Sequence, residues 1–323
     1  MKLLNEKYKL EKIISYGSNA VMYKVKIKGK YYALRRQKIS DSDALIIKGF
    51  EKKNLEDLIS YSFILNIYIN QILNNFNSSH FLKLYDYKLS KTNFKYPIDD
   101  FISKNKAFIE KTPQILDKFK EQDKMRYSVD TLTDLKDGDL DEIINTLNKK
   151  QIYSLFIQIF YALNILHSNN ILHNDPNIKN ICYIKTNIKN IKIFNLLVPT
   201  YGYIYSLIDY ESSIFISMNS NIKIWDFLLK NNNQSDFLRL LINILTFDKE
   251  TKLEDNNYDY EHIMFLLSMI KNNPNDDKPI KNNKYFYLLN QGRLTYTDIK
   301  YFIKYSNNYV KLIKYFYNLI SKK

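Results

Sequence analysis

Apolar and polar positions along the chain change period several times, and each change predicts an element. Tyr8 to Ile14 alternates as a half-buried strand does. Ser15 to Val25 follows as a loop feeding a second strand, Lys28-Gly29-Lys30 forms a turn, and Tyr31 to Arg36 reads as a third strand. Phe63 to Leu73 carries apolar residues at helical spacing, and His80 to Tyr87 returns to the extended pattern. Residues 88–124 are polar, with a charged helical piece near Pro113–Lys124, and Met125 to Leu132 is again strand-like. Asp137-Gly138-Asp139-Leu140 is expected to open a helix, because acidic residues suit its first turn. A long helix starts near Lys149, gathers Phe156, Phe160, Leu163 and Leu166 on one face and runs into His167. Asn180 to Ile184 and the run up to Ile208 are β-rich, with a hairpin between them. Beyond Ser235 the pattern is helical to the end, and Tyr301 to Ile320 carries one apolar side flanked by lysines. That last segment is expected to pack on the rest of the chain, with docking on a membrane surface as the other reading.

The 323 residues are enough for a large core or for two lobes. With 45% hydrophobic residues, the composition is that of a globular protein. Met1-Lys2-Leu3-Leu4-Asn5-Glu6 meets charge too early for a secretory signal, and Ser154, Gln158 and Asn164 interrupt the apolar run from Ile152 to Leu166. No integral membrane segment is expected, and the location expected is intracellular or inside a packaged particle. Cys182, the sole cysteine, excludes an internal disulfide and a cysteine-rich zinc site, and it reads as a small buried hydrophobe. The net charge of +14 raises the possibility of a polyanionic partner. The lysines are spread along the whole sequence, however, and Asn, Ile, Lys and Tyr abound while Gly is scarce, as in a product of an AT-rich genome. Nucleic acid is therefore not expected as the primary partner.

The chemistry concentrates between Ala162 and Asn180. There a helix leads into His173-Asn174-Asp175, and Asn180 follows five residues after Asp175. Phosphoryl transfer needs a carboxylate to orient the attacking hydroxyl and oxygen ligands for the metal on the phosphates, and an Asp and an Asn at this spacing can supply both. The phrase resembles the H-x-D-x-x-x-x-N catalytic loop of the protein-kinase-like superfamily, and the likeness extends over roughly Tyr8 to Ile244. It implies an α+β, two-lobed protein-kinase-like fold. The small β-rich lobe would take residues 1–134 with an insertion at about 88–124, and a mainly helical lobe residues 135–323. It implies ATP and Mg²⁺ as cofactors. Asp175 would be the base, Arg35 and Asn177 further catalytic positions, and Asn180 and Asp209 the metal ligands. Gly17, Ser18, Met22, Ala33, Arg35 and Thr131 would line the nucleotide.

Several positions depart from that family's pattern. Ser15 and Ala20 stand where outer glycines of the phosphate loop are usual, Arg35 where a lysine is, Asn177 where a second lysine is, and Glu211 where the glycine after Asp209 is. Asn66 is the expected counterpart of the glutamate on the helix that pairs with that first lysine. Glu51, Glu56 and Asp57 are alternatives in another register. Asp236 resembles the buried aspartate that holds the catalytic loop, or else caps a helix. His80 reads as a structural histidine. The hairpin at Pro199-Thr200-Tyr201-Gly202 resembles kinase-like proteins of large DNA viruses, which implies host cytoplasm or a virion as the location. Three functions stay open: an atypical Ser/Thr protein kinase with a protein substrate, a pseudokinase serving as a scaffold, and a choline-kinase-like small-molecule phosphotransferase, the last suggested by Asp209-Tyr210-Glu211.

Overall fold

Alternation along the N-terminal third closes into a five-stranded antiparallel sheet. In the computed structural model its order is β1-β2-β3-β5-β4, with β1 at Lys9–Tyr16, β2 at Ala20–Ile27, β3 at Lys30–Ile39, β4 at Leu84–Lys91 and β5 at Tyr127–Thr133. The structure describes residues 3–16, 20–48, 62–104, 106, 109, 114–215, 236, 240 and 308–321. Lys28 and Gly29 both take positive φ, +48° and +83°, which is the two-residue turn whose twist matches that of the strands it joins.

Residues that face each other across β2, β3 and β5 fix what each side of the sheet does. One face gathers Val21, Tyr23, Val25, Leu34 and Leu132 with Tyr96, Phe101 and Phe119 into a buried core. The last three belong to the segment that reads as a polar insertion. The structure corrects that reading: β4 extends to Lys91, helix α3 (Ile98–Lys104) and the expected charged helix, α4 (Gln114–Lys124), follow, and Phe94, Tyr96, Phe101 and Phe119 turn onto the sheet. Ring centroids of Phe101 and Phe119 lie 4.9 Å apart and those of Tyr96 and Phe119 5.2 Å apart. Beneath this cover Arg36 donates to both carboxylate oxygens of Asp130, at 2.8 and 2.6 Å, and Lys38 reaches Asp123 at 3.2 Å. Each buried charge thus has a partner, as burial requires. The opposite face packs Ile39, Val129 and Leu84 against Ala44 of α1 (Asp41–Lys48) and Ile64 and Ile67 of α2 (Ser62–Asn74).

The chain divides into two compact units: Met1–Ser78 with Leu82–Lys136, and Ser79–Phe81 with Asp137–Lys323. The sequence places the change between residues 134 and 135; the contacts change between Lys136 and Asp137, and they assign Ser79–Phe81 to the second unit. His80 is accordingly buried there, its Nδ1 2.9 Å from the Tyr205 carbonyl, and Phe81 bridges to Leu207 instead of beginning β4.

The second unit is built on α6 (Lys149–Ser168), started by a reciprocal cap in which Asn148 and Gln151 each accept the other's backbone N–H. The sequence assigns it one apolar face, yet nearly every residue from Ile152 to Leu166 is buried. Its two buried polar side chains are used on strand backbone. Ser154 donates to the Pro199 carbonyl at 2.6 Å, and Gln158 donates to Tyr203 O and accepts from Tyr205 N. Two strands, β8 (Ile181–Lys185) and β11 (Tyr203–Leu207), pair antiparallel, and the hairpin β9 (Asn190–Ile193) and β10 (Leu196–Pro199) lies between them in sequence. At residue 137 the expected helix start is displaced. Gly138–Asp139 form a short strand, β6, against β8, and the helix α5 is only Leu140–Ile143. Asp137 accepts the Lys185 N–H at 2.7 Å, and a Cβ on Gly138 would run first into the Glu142 carboxyl group and then meet Tyr183 at 3.0 Å. The final helix, α7 (Tyr309–Ser321), lays Leu312, Ile313 and Phe316 on α6, with Phe316 5.2 Å from the Tyr153 ring and 5.5 Å from that of Phe156. Among the described residues no helix is long and apolar enough to cross a membrane.

Candidate active site

The loop after α6 is shaped by backbone groups that a helix or sheet would otherwise have satisfied. Past Ser168, Asn170 takes positive φ and β7 (Ile171–Leu172) pairs with β12 (Ile214–Phe215). At His173 and Asn174 the two N–H groups turn onto one carboxylate, Asp236, at 2.7 Å each. His167 at the end of α6 donates Nε2–H to the same group at 3.0 Å. Asp236 is fully buried, and burial alone would raise its pKa. The hydrogen bond and charge of His167, with His173 beside it, instead hold it below the usual carboxylate range. Of the two roles expected for Asp236, the structure gives the loop-holding one.

His173 is a second tether. Its Nε2–H donates to the Ile208 carbonyl at 2.9 Å, so its Nδ1 is left to accept the Asp175 N–H at 3.3 Å. The Ser213 hydroxyl donates to the His173 carbonyl, and Asn174 Nδ2 to the Ser212 carbonyl. Two loops distant in sequence are thereby fastened together.

Asp175 is held from both sides. Asn177 Nδ2 donates to Oδ1 at 2.9 Å and Asn180 Nδ2 to Oδ2 at 3.0 Å. Asn177 is itself fixed, because its Oδ1 accepts the N–H groups of Lys179 and Asn180 and so caps the short turn Ile178–Asn180. The resemblance to the protein-kinase-like superfamily implies a lysine aimed at phosphate at this position. Here its amide is directed at Asp175 instead.

The register of β8 and β11 delivers the next group. Leu207 faces Ile181, and one step on Ile208 N–H donates to the Asn180 carbonyl at 2.9 Å. Asp209 comes next, exposed and at φ +65°, between that bond and the wholly buried Tyr210, whose hydroxyl donates to the Leu207 carbonyl. A non-glycine residue at positive φ costs conformational energy, and here three neighbouring hydrogen bonds enforce it. With its Nδ2 spent on Asp175, Asn180 keeps its Oδ1 for a ligand, and Asp209 presents a carboxylate. An amide and a carboxylate oxygen are the hard donors that suit Mg²⁺, which takes its remaining positions from water and phosphate. Asn180 and Asp209 therefore fit that ion; among the described residues no cluster of three or more His, Cys, Asp or Glu offers an all-protein metal cage.

In the first unit the expected nucleotide residues form one row. Met22, Arg35 and Thr131 are direct cross-strand partners on β2, β3 and β5, and Ala33 lies one repeat along the same face. Arg35 donates through Nη1 to Gln37 on its own strand. Gly17 and Ser18 lie outside the described residues, as do Glu51, Glu56 and Asp57. Asn66 on α2 accepts from Asn70 Nδ2 at 2.9 Å, and α2 carries no acidic side chain. Cys182 is half-buried on β8. Sequence reasoning passed over Gln37 and Ser213; the first shows only once strand alternation is combined with the position of Arg35. Comparison with family models and with curated proteins gives no match to this chain.

Proposed function

We propose that the chain is a phosphotransferase of two-lobed, protein-kinase-like fold, using ATP and Mg²⁺ to phosphorylate Ser or Thr hydroxyls of a protein substrate. The observation that carries this reading is the Asp175 carboxylate, gripped by the amides of Asn177 and Asn180. Asn180, just before β8, in turn accepts the Ile208 N–H beside Asp209. A carboxylate held this way can orient an acceptor hydroxyl and take its proton, while the two neighbouring oxygen donors hold the metal of the nucleotide. Asn177, bound to Asp175, acts as a positioning residue and not as a phosphate ligand.

A second reading, a nucleotide-binding or scaffold module without turnover, is favoured by Arg35. Arginine stands at that position where the family pattern has a lysine, Asn177 replaces a second lysine, and Glu211 replaces a glycine. Transfer of radiolabelled phosphate from ATP to generic protein acceptors, with nucleotide affinity measured separately, decides between them. Asp175→Asn is expected to lower turnover about 10²–10⁴-fold while nucleotide affinity stays within a factor of about two. Arg35→Lys is expected to keep or raise turnover, since lysine presents a shorter point charge. Wild-type turnover no greater than that of Asp175→Asn would leave the module reading in place.

A further inference from the structure

Strand register gathers lysines that the linear sequence keeps apart. Between Lys7 and Lys30 there are seven lysines and one carboxylate, Glu11. In the β1–β2 pairing Lys9 stands directly opposite Lys26, and Lys12 directly opposite Lys24. Like charges facing each other across an antiparallel pair are unfavourable, and here two such pairs lie side by side on one face. Lys9 has Glu11 at 3.6 Å, whereas Lys12, Lys24 and Lys26 make no ion pair among the described residues. Nor does burial account for them: Lys9, Lys12 and Lys26 are exposed. In their midst is an aromatic ring. Tyr31, 45% exposed, is the cross-strand partner of Lys26, and the ammonium groups of Lys24 and Lys26 sit 4.1 and 5.2 Å from its centroid.

We propose that this face of β1–β3 binds single-stranded nucleic acid, its phosphates on Lys9, Lys12, Lys24 and Lys26 and a base on Tyr31. Two observations select this partner. Two adjoining cross-strand lysine pairs with only Glu11 among them call for a polyanion that supplies charge at short, regular intervals. The two-residue repeat of a strand, about 6.7 Å, is comparable to the phosphate spacing of an extended single strand. An exposed tyrosine ring amid the lysines adds what base stacking uses and what an acidic peptide does not require. The proposal uses other residues than the phosphotransfer reading and is tested separately from it, although Lys24 stands opposite Ala33 on the same face of the sheet.

The test is fluorescence anisotropy of labelled oligo-dT and oligo-U with the full chain over a salt series. Four phosphate contacts predict a slope of log affinity against log salt of about −3, at roughly −0.7 per contact for single strands. Replacing Lys12, Lys24 and Lys26 together by Gln is expected to weaken binding roughly tenfold or more and reduce the slope to about −1. The melting temperature of that variant without ligand should be unchanged or raised, because the like-charge pairs are gone. Tyr31→Leu is expected to weaken oligonucleotide binding and to leave binding of a polyglutamate peptide unchanged. A control of equal charge, Lys185, Lys189 and Lys192 replaced by Gln, should bind as the wild type does. The proposal is overturned if that control loses as much affinity as the β-strand triple, since net charge alone would then be at work. It is also overturned if Tyr31→Leu binds oligonucleotide as tightly as the wild type, or if polyglutamate or anionic vesicles bind more tightly than either oligonucleotide.

Discussion

Asp139 shows how one side chain can set a pH dependence. It lies at the start of α5, with Oδ1 buried and without a hydrogen-bond partner among the described residues. Burial first, and then the charges of Glu142 and Asp141, push its pKa up to about 6. A carboxyl whose folded pKa exceeds its unfolded value binds more protons when folded, so stability falls as pH rises between the two values. The window here runs from about 4, the unfolded value, to about 6. Asp139→Asn removes the ionisation, and its melting temperature relative to wild type should climb across that window and level off above it. Parallel melting curves from pH 4 to 7 would show that Asp139 is not under this strain. Asp236 has the opposite sign: its carboxyl is depressed by His167, so its contribution is present above the ordinary carboxylate pKa and is lost only in stronger acid.

Among the elements, the segment between β4 and β5 differs most from its sequence pattern. Its helices bury few side chains, but those few are large, and Phe119 is 1% exposed between Tyr96 and Phe101. Phe119→Ala should therefore cost about 3–5 kcal/mol, as a buried aromatic truncation does. Chemical denaturation would measure it, and a loss under about 1 kcal/mol would mean the aromatic cover collapses into the space or was never core. The same element holds Asp123 against the buried Lys38, so its removal would also leave a lysine without its counter-charge. By contrast α6 follows its pattern closely, and it exceeds it by turning Ser154 and Gln158 into hydrogen-bonding pegs for the strand backbone.

For the whole molecule the dominant quantity is the +14 charge. Self-repulsion on that scale weakens the folded state, and added salt screens it. The melting temperature should rise as sodium chloride goes from about 20 mM to about 300 mM, where the screening length shrinks from about 20 Å to about 6 Å. A fall would mean that attractive pairs such as Arg36–Asp130 and Lys38–Asp123 outweigh the repulsion.

What the sequence determined is the set of local choices. Alternation located the strands around Tyr8–Ile14 and Tyr31–Arg36, helical spacing located α6, and the spacing from Asp175 to Asn180 put a carboxylate and an amide on one loop. These depend on neighbours a few residues away, and such contacts can be read from a string. What only the tertiary structure decided depends on which distant residues meet. Cross-strand register aligned Met22, Arg35 and Thr131 and set lysine against lysine on β1 and β2. A short strand replaced the expected helix start because Asp137 found the Lys185 N–H. Asp236, which the sequence left between holding that loop and capping a helix, proved to anchor the loop that carries Asp175, because the N–H groups of His173 and Asn174 share it as their acceptor.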